Sequence, residues 1–297
     1  MQRLKENRIA SYIVIAIVYA IAATGGVLVY RGLAISLGLH WWPSLLVADV
    51  AATVLVFIFS LIFKNASVYD PYWSVQPAVI LIAIQIGRPV SVYSALLLGT
   101  VLLWALRLTA NWAYTFKGLA HEDWRYRMLR ERTGRLYPLV NFFGIHMVPT
   151  FIVFACTLPA AYIVRRSLEA GPLSYPLLAI SLIAIALQTV ADIQMHIYRK
   201  DENPHKLPFM RRGLWRHSRH PNYLAEILMW WGVGLSAIAA FPMHWYLLAG
   251  AVGNTLLFLL ISIPMADYRQ SKKKDYKQYR ASTRMLLPIP RPKRRRK

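Results

Sequence analysis

The sequence predicts an all-α protein, a polytopic bundle of about seven to eight transmembrane helices. Three observations predict it. Of 297 residues, 57% are apolar and only 16% charged, against roughly 25% charged in ordinary soluble domains. The apolar residues form continuous runs with no alternation, which excludes a β-barrel. Lys and Arg outnumber Asp and Glu by 35 to 13, for a formal charge of +22, and the basic residues sit between the runs.

A ~30 Å hydrocarbon core takes about 20 apolar helical residues. The runs 9–30, 44–63, 75–87, 90–106, 140–164, 176–195, 222–240 and 245–263 are the candidate spans. The third and fourth are short and separated by Arg88-Pro89, which suits a tight helical hairpin or a re-entrant pair. With the N-terminus inside, segments 1–8, 64–74, 107–139, 196–221 and 264–297 hold 31 of the 35 Lys and Arg. The other side keeps Arg31, Arg88, Arg165 and Arg166. This positive-inside bias places both termini of a multi-pass protein in the cytoplasm.

A helix bundle of this length is one unit, so 1–297 is expected as a single integral membrane domain, with a cytoplasmic basic tail over 265–297. The cluster 291–297 is expected to lie against anionic lipid headgroups, at about 1 kcal/mol per charge, and not on nucleic acid. Cys156 is the only cysteine, so no intrachain disulfide and no Cys-based metal site is expected. The first run is too long for a signal-peptide core and ends without a small-residue cleavage site.

Ionisable groups inside a membrane cost at least ~2.5 kcal/mol and need a reason. Asp49, in the second run, is expected to hydrogen-bond a neighbouring helix. Gln188, Asp192, His196 and Arg199 follow i, i+4, i+8 and i+11, which keeps them on one helix face running out to the cytoplasmic surface. That face is either a helix end whose Asp and Arg satisfy each other or the wall of a polar cavity. Glu226 favours the cavity. The stretch 213–223, dense in donors, leads through Pro221, suited to a first helical turn, into the next span. Free N–H groups, the helix dipole, Arg216, Arg219 and the adjoining His220 make an anion site. Asn222 and Glu226, one turn apart, supply neutral donors and acceptors deeper in. A pyridine nucleotide has this polarity, phosphates at one end and a carboxamide at the other. His196, His217 and His220 fall short of the several pairs that a membrane di-iron site needs, so no metal is expected. Gly-x-Gly-x-x-Gly and Walker loops are lacking, so a dinucleotide would be held without a Rossmann unit. Asp70, Tyr72 and Trp104 are candidate catalytic residues for the substrate side, in a stretch that otherwise reads as an interfacial aromatic belt with Asp70 as a cap. The segment 276–280 is amphipathic and suited to cover the cavity mouth.

Asp192…Arg199, then 213–223 with Glu226 and Trp230-Trp231-Gly232, resembles the steroid 5-alpha-reductase-like membrane family, in its bacterial branch labelled as a domain of unknown function. Asp70-Pro71-Tyr72-Trp73-Ser74, the stretch 104–108 and the ending Leu287-Pro288 are similar to the same branch, so the likeness spans roughly 68–290. It implies an NADPH-dependent oxidoreductase of lipid metabolism that reduces a carbon–carbon double bond conjugated to a carbonyl in an apolar lipid. It also implies a cofactor cavity in the bundle facing the cytoplasm, a bacterial inner membrane as the location, and Asp192, Arg199, Asn222, Tyr223 and Glu226 as the cofactor contacts. The Gln-Glu pair and Tyr with which the animal enzymes polarise the carbonyl have no match, Trp104 standing at the Tyr position. Arg219-His220-Pro221-x-Tyr223 also resembles a motif of isoprenylcysteine and phospholipid methyltransferases, which implies S-adenosylmethionine instead. A transporter or scaffold is the non-enzymatic rival. A transporter would show two related halves with broken helices, and no internal repeat is visible.

Overall fold

The computed structural model describes residues 5–289; the basic cluster 291–297 lies outside them. Among these residues the chain is helical throughout, with no β-strand beyond an isolated bridge between Ser218 and Arg284. The helices are α1 (Arg8–Arg31), α2 (Trp41–Ile62), α3 (Tyr72–Gln85), α4 (Val92–Thr115), α5 (Trp124–Thr133), α6 (Val148–Arg166), α7 (Ser174–Lys200), α8 (Pro221–Ala240), α9 (Ala249–Leu257), α10 (Ile263–Ser271) and α11 (Tyr276–Ser282). A π-helical stretch, Val140–Met147, leads into α6, and another, Phe258–Ser262, joins α9 to α10.

Among the described residues, seven helical runs are long and apolar enough to cross a membrane: Arg8–Ser36, Trp41–Ile62, Val92–Thr115, Trp124–Arg166, Ser174–Lys200, Pro221–Ala240 and Pro242–Ser271. The eighth expected span, 75–87, falls mostly in α3, whose 14 residues extend only about 21 Å at 1.5 Å per residue. Gly87, with φ of +72°, ends it in a turn that a side chain would strain.

The chain forms two compact units. The first comprises Met1–Pro89 and Val101–Arg165; the second comprises Val90–Thr100 and Arg166–Lys297. In the first, α1 and α2 pack through small residues: a Cβ on Gly26 would sit 3.2 Å from the Ala48 carbonyl oxygen. Ile15, Val18, Val56, Val68, Tyr69, Tyr72 and Phe116 are core members there. Without a hydrophobic drive between lipid-facing helices, this close backbone approach supplies the association.

In the second unit the tightest pairing is α7 against α8. Ser181 donates to the Met229 carbonyl at 2.8 Å. A Cβ on Gly232 would collide with Ser181 Oγ and lie 2.8 Å from Ser181 N and 3.1 Å from Leu177 O. Backbone cannot yield as a side chain can, so Gly232→Ala is expected to destabilise the protein by about 1–3 kcal/mol or more. A Cβ on Gly99 meets nothing within 4 Å, so Gly99→Ala in α4 should be neutral or slightly stabilising. Thermal melts of the two variants in detergent check the contrast, and equal melting points would refute it.

Candidate functional site

The face predicted for the polar residues of α7 turns toward α8. Gln188 Nε2 donates to Glu226 Oε2 at 2.5 Å, and Trp230 Nε1 donates to Glu226 Oε1 at 3.0 Å. One turn outward, Asn222 Nδ2 donates to Asp192 Oδ1 at 3.4 Å. The two rungs differ in depth: Gln188 and Glu226 are 2% and 3% exposed, whereas Asp192 and Asn222 are half-buried. Pro221 takes the first helical position of α8 as expected. The Asn222 side chain turns back to accept from Tyr223 N at 3.1 Å. Each oxygen of Glu226 already accepts from protein, so this carboxylate sets the spacing of α7 and α8 as well as the polarity between them.

At the outer end of the same face stands the exposed Arg199. The half-buried Lys273, in the turn after α10, has its ammonium held below the usual lysine range, first by burial and then by the positive charges of Arg269 and Arg199. Lys273 thus feels the positive charges of Arg269 on α10 and Arg199 on α7. Like charges so placed repel one another. Arg269 and Lys273 were not singled out in the sequence, because they belong to the basic stretch that reads as a topology signal.

The loop between the helices has a different role from the one expected of it. Gly213 has φ of +56°, and a Cβ there would lie 2.5 Å from Gln194 Oε1, the atom that accepts from Leu214 N at 2.9 Å. Trp215 Nε1 donates to the Ala191 carbonyl at 3.1 Å, so the loop is fastened to α7. Arg219 and His220 were expected to hold an anion, and instead they hold Asp267 of α10. Arg219 is 5% exposed. Its guanidinium donates to Asp267 Oδ2 at 2.8 Å and Oδ1 at 3.3 Å, and also to the Thr283 carbonyl at 2.8 Å. His220 Nε2 lies 3.0 Å from Asp267 Oδ1, to which Tyr276 also donates at 2.6 Å. Tyr223 stacks on His220 with ring centroids 5.3 Å apart. Arg216 remains exposed. The amphipathic segment becomes α11, and its buried Tyr276 and Tyr279 pack with Phe209; burial raises both phenols above the usual range. Physically, Arg219 chooses Asp267 because a buried bidentate carboxylate pair is stronger and more directional than contact with a mobile anion.

The three substrate-side candidates lie in the first unit and meet different fates. Asp70 accepts from Tyr126 at 2.6 Å and lies 3.6 Å from Arg125, tying the turn before α3 to α5. Burial pushes its carboxyl up to about 6 even though Arg125 pulls it down. Pro71, not Asp70, precedes the first residue of α3. Trp104 is fully buried, edge-on to Trp73. Tyr72 alone places its hydroxyl in a polar network. It donates to Asp49 Oδ1 at 3.2 Å, while Gln76 donates to Asp49 Oδ2, which answers the expectation for Asp49. Thr53 joins Tyr72 to Thr150, which bonds Tyr69 at 2.8 Å. Gln76 Oε1 and the fully buried His146 Nε2 are without a hydrogen-bond partner among the described residues.

Residues 56–283 match the family described as "Protein of unknown function (DUF1295)". The chain is 28% identical to uncharacterized protein C594.04c of the fission yeast Schizosaccharomyces pombe, over 56% of this chain and 56% of that one. It therefore spans little more than half the length of this relative. No solved structure matches it significantly.

Proposed function

We propose, on the premise that the chain belongs to the family described as Protein of unknown function (DUF1295), that it is a membrane-embedded, NADPH-dependent reductase. Its substrate on this reading is a carbon–carbon double bond conjugated to a carbonyl in an apolar lipid of steroid-like or isoprenoid kind. The observation that carries the reading is the polar ladder between α7 and α8, with the exposed Arg199 at the outer end of the same helix face. The resemblance of Asp192…Arg199 and of the 213–226 stretch to the steroid 5-alpha-reductase-like family supports the same cofactor.

NADPH would supply the hydride. The chain's residues hold and orient it. Arg199, Arg269 and Lys273 would neutralise the phosphates, and Asp192 and Asn222 would offer one acceptor and one amide to the neutral part. Glu226, fixed by Gln188 and Trp230, keeps the two helices at the spacing that lets both reach the cofactor. The apolar bundle excludes water from the reacting atoms. With seven crossings, the segments 107–139, 196–221 and 264–297 share one side and, with Arg31, hold 28 of the 35 Lys and Arg. The reading places that side, with the cofactor, in the cytoplasm. On the same reading, seven crossings would put the N-terminus on the opposite side, where the sequence led to the expectation of both termini in the cytoplasm.

The methyltransferase reading rests on Arg219-His220-Pro221-x-Tyr223, but Arg219 and His220 are engaged with Asp267. Three neighbouring cations also suit phosphates better than a sulfonium. Calorimetric titration of the purified full chain separates the two: NADPH is expected to bind in the micromolar range or tighter, and S-adenosylmethionine not to bind. Binding of S-adenosylmethionine without NADPH would discard the reductase.

A further inference from the structure

On the side of α7 away from the ladder lies a cavity of about 570 Å³, whose lining includes Gln194, Ile197, Tyr198, Phe209, Arg211 and Arg212. At about 3.6 residues per turn, positions 194, 197, 198 and 201 face away from 188, 192, 196 and 199, so the cavity is separate from the proposed cofactor site. Its walls are chemically divided. Lys206 is already used: it donates to the carbonyls of Tyr198 and Asp201 and lies over the Tyr198 ring, satisfying the C-terminal end of α7. Arg211 and Arg212 are exposed and make no hydrogen bond or ion pair among the described residues. The lining also carries His205 and Asp201, whose carboxylate accepts from Asn203 N at 3.0 Å. Its apolar member Ile197 opens an exposed stripe down α7, with Ile197 at 65%, Ile193 at 51% and Ile183 at 68% exposure. These residues belong to a helix long and apolar enough to cross a membrane.

A pair of unpartnered guanidinium groups above an apolar track, at the end of a membrane-crossing helix, matches one kind of ligand. We propose that this cavity binds the headgroup of an anionic phospholipid, with its acyl chains lying along the Ile183–Ile193–Ile197 stripe. Arg211 and Arg212 take the phosphate, for which planar guanidinium donors are well suited. The site is distinct from the basic tail, and it does not depend on the reductase reading.

The test uses the full chain in a zwitterionic detergent, titrated with phosphatidylglycerol and, separately, with phosphatidylcholine of the same chain length. Phosphatidylglycerol is expected to bind saturably and phosphatidylcholine not to compete. The double variant R211A/R212A should weaken phosphatidylglycerol binding roughly ten- to thirtyfold, two interfacial charges having been removed. The exposed pair K274A/K277A, removing equal charge elsewhere, should leave it unchanged. Equal losses in both double variants, or none in R211A/R212A, would overturn the site. Competition by glycerol 3-phosphate as strong as that of the lipid would assign the cavity to a soluble anion. Displacement of the lipid by NADPH would assign it to the nucleotide. Either result refutes the lipid proposal, and neither depends on whether the chain reduces anything.

Discussion

Arg219→Ala is expected to cost about 3–5 kcal/mol of stability, because it takes from Asp267 its bidentate guanidinium partner in a buried setting. Asp267 is 7% exposed and accepts from Arg219 twice, from Tyr276 and across to His220. Arg219 also donates to the Thr283 carbonyl, so its loss loosens both α10 and the segment after α11. A lowered melting temperature should therefore come with new proteolytic cuts between residues 271 and 285. Arg219→Lys, which keeps the charge but loses the fork, should lie between wild type and alanine. If Arg219→Ala melted like wild type but failed to bind NADPH, the assignment of Arg219 to the fold would be wrong, and the phosphate site first expected from the sequence would be restored.

Arg199→Ala should do the reverse. Arg199 is exposed and makes no hydrogen bond among the described residues, so the melting temperature should hold. NADPH affinity should fall about ten- to a hundredfold, the range for one hydrogen bond to a charged group. The remaining affinity should depend less steeply on salt, because one of three screened cations has gone. Removing one like-charged neighbour also relieves Lys273, whose ammonium should move back up toward the usual lysine range, its depression having burial, Arg269 and Arg199 as causes. Unchanged affinity and salt dependence in a well-folded Arg199→Ala protein would sink the cofactor site as drawn.

The pair of variants marks where inference from the chain stops. Asp192 and Arg199 could be placed on one face because helical spacing is a local property, and Pro221 could be placed at a helix start because its chemistry is local. That the face meets Asn222 and Glu226 is a tertiary outcome, suggested only by the proximity of the two motifs in the chain. The role of Arg219 was not legible, because its partner Asp267 lies 48 residues away in a stretch with no distinguishing spacing. The same holds for Asp70, whose partner Tyr126 is 56 residues distant, and for Arg269 and Lys273, which in sequence are ordinary members of a basic tail. The short span 75–87 failed for a different reason: hydropathy reports apolar content, while crossing requires length.

The sequence by itself determined the membrane-spanning, all-helical class of this protein, its apolar runs and the segregation of its basic residues, because hydropathy, charge and helical period act over a few turns of chain. Only the tertiary structure decided which charges are spent on one another and which remain to meet a ligand. A buried ion pair is chosen by distance and desolvation between segments far apart in sequence, and those are properties of the packed bundle.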